Sequence, residues 1–106
     1  MSLRCRNAPV IIVTGSVRAH PESIDETLRL SLEHVRRSRT EPGCLLHSVH
    51  YDVEDPLRLV FVEHWADRAA LDAHFQVPES RAFAKSLGEL AAEPPTLEIY
   101  AAEPLG

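Results

Sequence analysis

Six of the 106 residues are histidines, the side chains best suited to proton transfer at neutral pH, since an unperturbed imidazole titrates at about 6.5. Five have ordinary readings. His20 lies at a helix start and His34 on a helix face, and both read as solvated surface. His47 and His50 are three apart on a strand pattern, so they point to opposite faces and cannot share one metal ion. His64 alternates with Val62 toward a sheet face where it has a structural hydrogen bond to make. His74 differs, because it follows Leu71 by three residues on a helical pattern and lies beside the apolar stripe, looking onto a sheet. A satisfied interior histidine and a catalytic base both fit that position.

Glu63 is the second candidate. It shares a strand face with Phe61 and Trp65, which puts a carboxylate between two aromatics on the side a helix must cover. Unpaired burial would cost several kcal/mol, so Glu63 calls for a histidine, a tyrosine, a ligand or a helix-borne salt bridge. No stronger signature accompanies these two residues. GxGxxG, Walker, HExxH and GxSxG patterns are absent, and Cys5 and Cys44 stand in no zinc-type spacing. The expectation is therefore no metal and no obligatory cofactor.

The elements that must position these residues are legible from periodicity. Val10 to Arg18 is a short β-branched strand, and Pro21 opens a helix carrying Ile24, Leu28, Leu32 and Val35 at helical spacing. The Glu41-Pro42-Gly43 turn leads to a strand over Cys44 to Asp52, and a hairpin connection leads to another over Leu57 to Trp65. Asp67 caps a helix that Pro78 interrupts and restarts, and Pro94-Pro95 ends it before a last strand over Thr96 to Ala102. This βαββαβ order predicts a ferredoxin-like α+β sandwich, with a domain over residues 10–102 between tails at 1–9 and 103–106. Both faces of the first and third strands are apolar, and two helices can cover only one. A homodimer packed sheet to sheet, through the face bearing Val60, Val62 and His64, is the economical arrangement.

Composition narrows the function classes. Eleven basic residues against sixteen acidic ones give a charge of −5, with no basic run longer than Arg36-Arg37, which argues against nucleic acid as a partner. No apolar run approaches the roughly 20 residues of a membrane span, and the two cysteines make no secreted disulfide framework. A cytoplasmic location with no membrane partner is the expectation.

Several runs together resemble the antibiotic biosynthesis monooxygenase (ABM) family. They are Glu41-Pro42-Gly43-Cys44, Asp55-Pro56 before a strand ending Val62-Glu63-His64-Trp65, and Ala70-Leu71-Asp72-Ala73-His74-Phe75 followed by Pro78-Glu79-Ser80 and Phe83. The resemblance spans about Val10 to Ala102 and implies a dimeric α/β barrel with a ferredoxin-like protomer. Its members include cofactor-independent oxygenases of quinols and polyphenols, a heme-degrading branch and an isomerase of a small phosphorylated sugar. The heme branch uses an asparagine in the first strand and a tryptophan and a histidine on the second helical region. Here Gly15 and His74 fall where the asparagine and tryptophan would be, and no histidine follows His74. The isomerase needs cationic phosphate contacts, whereas Arg29 and Arg36 fall on helix faces that read as exposed.

The quinol-oxygenase-like members place a histidine matching His74 in their substrate pocket. The resemblance thus implies a monooxygenase acting with dioxygen on a small aromatic molecule. His74 is the expected base and Glu63 its orienting partner. Trp65, Phe61, Phe83 and Leu87 are the expected walls, and Tyr51 or His50 the donor to a substrate oxygen. A non-enzymatic dimeric ligand-binding or stress-response protein of the same fold is the alternative.

Overall fold

The computed structural model describes residues 9–106; Cys5 and nearly all of the expected N-terminal tail lie outside the described residues. The elements run β1 (Val10–Arg18), α1 (Ile24–Ser38), β2 (Cys44–Asp52), β3 (Asp55–Trp65), α2 (Arg68–Gln76), α3 (Pro78–Leu90) and β4 (Thr96–Ala102). The strands form one antiparallel sheet in the order β2-β3-β1-β4. This is the ferredoxin-like α+β fold, with the helices on one face. No helix among the described residues is long and apolar enough to cross a membrane.

Local chemistry explains the element ends. Asp67 caps α2 by accepting from the Ala70 N–H at 2.8 Å, and Val77, in extended backbone, separates α2 from α3, which opens on Pro78. Two boundaries differ from expectation. The first helix begins at Ile24, after a turn through Pro21, and β3 begins at Asp55, whose carboxylate pairs with Arg18 at 2.9 Å.

A larger difference concerns which face of α1 is buried. The apolar stripe predicts Ile24, Leu28, Leu32 and Val35, yet the buried residues are Thr27, Ser31, His34, Val35 and Ser38. Each buried hydroxyl donates to the carbonyl four residues back, at 2.6–2.8 Å, so it enters the interior with its polar demand met. These small residues let α1 lie close to the sheet, and the same face carries His34 inward. The placement of His34 at the solvated surface is thereby corrected.

Beneath the helices, Val17, Val35, Leu59, Phe61 and Leu87 form one core cluster, and Ile11, Val13, Trp65 and Leu71 form another. The opposite face of the sheet carries Ile12, Val60, Val62 and His64, all partly exposed in the single chain.

The Glu41–Cys44 turn joins the two halves of the molecule. Gly43 has φ +82°, its carbonyl accepts from the Ala66 N–H at 2.8 Å, and a Cβ built there would lie 2.5 Å from the Ala70 Cβ. Left-handed backbone and the approach of α2 therefore both require glycine. Gly43→Ala is expected to destabilise the fold by about 2–4 kcal/mol, read as a lower urea midpoint at unchanged slope.

Candidate functional site

A cavity of about 230 Å³ opens between the sheet and the helices. Its sheet side is Gly15, Phe61 and Glu63; His34, His74, Phe75, Phe83 and Leu87 come from the helices, and Pro95 to Leu97 edge it. Apolar walls enclose three groups capable of proton chemistry.

At its inner end three imidazoles meet. His34 from α1, His47 from β2 and His74 from α2 are all buried, with ring centroids 5.2–5.6 Å apart. His34 stacks on Phe83 at 4.1 Å, and His74 lies 4.6 Å from the Trp65 ring. β2 brings His47 opposite Glu63, on the face that His50 avoids.

Hydrogen-bond partners fix where the protons sit. His74 Nδ1 lies 2.8 Å from Glu41 Oε1, and a carboxylate only accepts, so Nδ1 carries a proton and Nε2 is the ring's other, variable nitrogen. His34 shows the reverse pattern. Arg37 Nη2 lies 2.8 Å from its Nδ1, and a guanidinium only donates, so a neutral His34 carries its proton on Nε2. Burial, together with the neighbouring His47, His74 and Arg37, pushes the His34 pKa down to about 3, so the ring is neutral at pH 7. The cavity therefore holds a neutral donor, His34, beside His74, whose Nδ1 is engaged by a carboxylate.

Glu63 has another role than the expected one. Its Oε1 accepts from Trp65 Nε1 at 2.9 Å and lies 3.3 Å from His47 Nε2, while Glu41 is the carboxylate that orients His74. Burial pushes the Glu63 pKa up, but His47 and the Trp65 N–H outweigh it, and the net shift is downward.

Of the residues singled out in the sequence, Phe61, Glu63, His74, Phe83 and Leu87 are brought to the cavity. Three are not. Trp65 is fully buried behind His74 and supports the ring rather than facing the cavity. His50 pairs with Val60 on the other side of the sheet and bonds Ser48, and Tyr51 is half exposed near the end of edge strand β2. His34, His47 and Glu41 were not foreseen as site residues. For His34 the available signal was the hydroxyl stripe Thr27, Ser31, Ser38 at helical spacing; for Glu41 it was only the turn motif that contains it.

Residues 10–86 match the family profile described as "Antibiotic biosynthesis monooxygenase". The chain belongs to that family. An uncharacterized protein of Synechocystis sp. is 37% identical over 90 residues, covering 85% of this chain, and the match spans 61% of that longer protein. A crystal structure of an antibiotic biosynthesis monooxygenase superposes with a TM-score of 0.81 at 33% identity, covering 89% of this chain and 99% of the other. A Deinococcus radiodurans protein, named as a candidate antibiotic biosynthesis monooxygenase, gives 0.85 at 26% identity, covering 89% and 93%. The ABM fold thus frames the His34–His47–His74 cluster.

The depressed His34 pKa has a consequence for stability. Between pH 6.5 and about 3 the unfolded chain binds a proton at this ring that the folded chain does not, so stability falls as pH drops through that window. Between pH 7.5 and 5 the loss is about 2 kcal/mol from this group. His34→Asn keeps an acceptor for Arg37 but cannot titrate. In chelator-containing buffer its unfolding free energy is expected to fall less steeply over that range by about this amount, as measured by urea denaturation.

Proposed function

We propose that the protein is a cofactor-independent monooxygenase that oxidises a small aromatic quinol or polyphenol held in the cavity, with His74 as the base. The observation that carries this reading is the Glu41–His74 pair, which engages Nδ1 and leaves Nε2 as the nitrogen for a base at the wall of a largely apolar cavity. Family membership and monooxygenase-named structural neighbours support the reaction class.

The chemistry follows from what closed-shell aromatics need in order to react with dioxygen. His74 Nε2 takes the phenolic proton, and the resulting anion, beside the neutral His34 N–H donor, passes one electron to dioxygen. The radical pair joins through a new carbon–oxygen bond, and His74 returns its proton to the resulting peroxide anion to give a ring hydroperoxide. Loss of the proton on that carbon and of the distal oxygen as water leaves a carbonyl, so one oxygen atom enters the product and the other becomes water. Phe61, Phe83 and Leu87 keep bulk water from the anion.

A second copy of the chain belongs to the same reading. Ile12, Val60 and Val62 on the outer sheet face remain partly exposed in one chain, and a sheet-to-sheet homodimer of the unit at 10–102 covers them.

Oxygen uptake with a panel of quinols tests the activity. His74→Ala is expected to lower kcat/KM by about 10²–10⁴-fold with the fold intact. Glu41→Gln keeps an acceptor for Nδ1 but removes the charge, and is expected to cost about tenfold and move the acidic limb of the pH profile downward. Full turnover by His74→Ala would show that His74 is structural, and ligand protection without oxygen consumption would favour a binding protein. Sedimentation is expected to give a dimer at micromolar concentration; a folded monomer there would remove the dimer from the reading.

A further inference from the structure

The proposed reaction uses His74 as base and His34 as donor, and gives His47 no part beyond its effect on Glu63. His47 is 2% exposed, and neither ring nitrogen has a hydrogen-bond partner among the described residues. Its Nε2 is 3.3 Å from Glu63 Oε1, but the geometry makes no hydrogen bond. An imidazole buried in this way has lost its hydration with no hydrogen bond in return, which points to an absent partner.

We propose that His34, His47 and His74 form a three-imidazole site for a divalent first-row transition-metal ion. One nitrogen of each ring lies within 4.8 Å of the other two. Tetrahedral ligation at about 2.0–2.1 Å sets the nitrogens roughly 3.3 Å apart, so the rings must turn inward slightly to close on the ion. They come from a helix, a strand and a second helix, so they approach one point from three directions. Glu41 on His74 Nδ1 is the outer carboxylate that orients a metal-binding imidazole and leaves Nε2 open. Three imidazole nitrogens suit zinc, iron, cobalt, nickel or copper in preference to magnesium or calcium.

His34 is the ligand that has to change state. Arg37 occupies its Nδ1 lone pair, so ligation through Nε2 requires the proton to move to Nδ1 and Arg37 to withdraw. Arg37 also donates to Ser80 Oγ at 3.1 Å and is only partly buried, so it has both another partner and a route to solvent. The inference does not rest on the oxygenase reading. A bound ion would take the His74 lone pair, so ion and substrate proton would compete for one atom.

The test is titration of the chelator-stripped full chain with Co²⁺, followed by visible absorption and calorimetry, with Mg²⁺ as control. One Co²⁺ per chain with ligand-field bands of a low-coordinate nitrogen site is expected, and no Mg²⁺ binding. His47→Leu breaks no hydrogen bond of the ring and leaves Glu63 held by Trp65, so the variant is expected to fold and to lose Co²⁺ affinity by at least about 100-fold. His34→Asn is expected to do the same, and Arg37→Ala to bind about tenfold more tightly, because the competing donor is gone. No Co²⁺ binding by the unaltered chain at millimolar concentration would overturn the proposal, as would unchanged affinity in folded His47→Leu and His34→Asn. These readouts need no substrate, so they stand even if no quinol is turned over. Turnover that persists in chelator while Co²⁺ inhibits would support both ideas together, and turnover lost in chelator would overturn only the metal-free reaction.

Discussion

Three imidazoles and two carboxylates share a nearly dry interior, and for two of the imidazoles, His34 and His74, a charged neighbour dictates which nitrogen carries a proton. Glu41 and Arg37 do this, one as an obligate acceptor and the other as an obligate donor, and they give two chemically identical rings opposite polarity. His47 and, after it, the Trp65 N–H hold Glu63 in the charged form against burial. Without these partners the cluster would be a set of unsatisfied polar groups in a small core, which a domain of this size tolerates poorly.

The rest of the fold can be understood as what brings those partners into range. Serine and threonine at Thr27, Ser31 and Ser38 bond their own helix, which lets α1 approach the sheet and turns His34 inward. Left-handed backbone at Gly43 packs the Glu41 turn against Ala70, so the carboxylate from one half of the chain meets the imidazole from the other. The Asp67 cap and the break at Val77 set the length of α2, and with it the height of His74 above Trp65.

The strands were readable in the sequence because β-branched runs and alternation are local signals, and β1, β2 and β4 end where those signals end. His74 and Glu63 were readable as candidates because each conflicts with an apolar surrounding on its own element. His34 was not, since the face of α1 that packs is lined by hydroxyls, and hydropathy alone assigns those to water. Nor was the pairing of Glu41 with His74, at a sequence separation of 33, because no periodicity connects a turn to a helix so far away. What escaped was the set of partners, which exists only once tertiary contacts form.

Leu97 and Ile99 lie on the helix side of the sheet, opposite Gly15 and Val13, yet they are 54% and 39% exposed because the helices stop short of β4. The cavity is thus closed at the back by side chains that hold one another in place and bordered at the front by a strand that no helix covers. A substitution on that border changes the shape of the entrance and leaves the proton arrangement behind it untouched. The shape of the entrance and the arrangement of the buried cluster are encoded in separate parts of the chain, so one can drift while the other is kept.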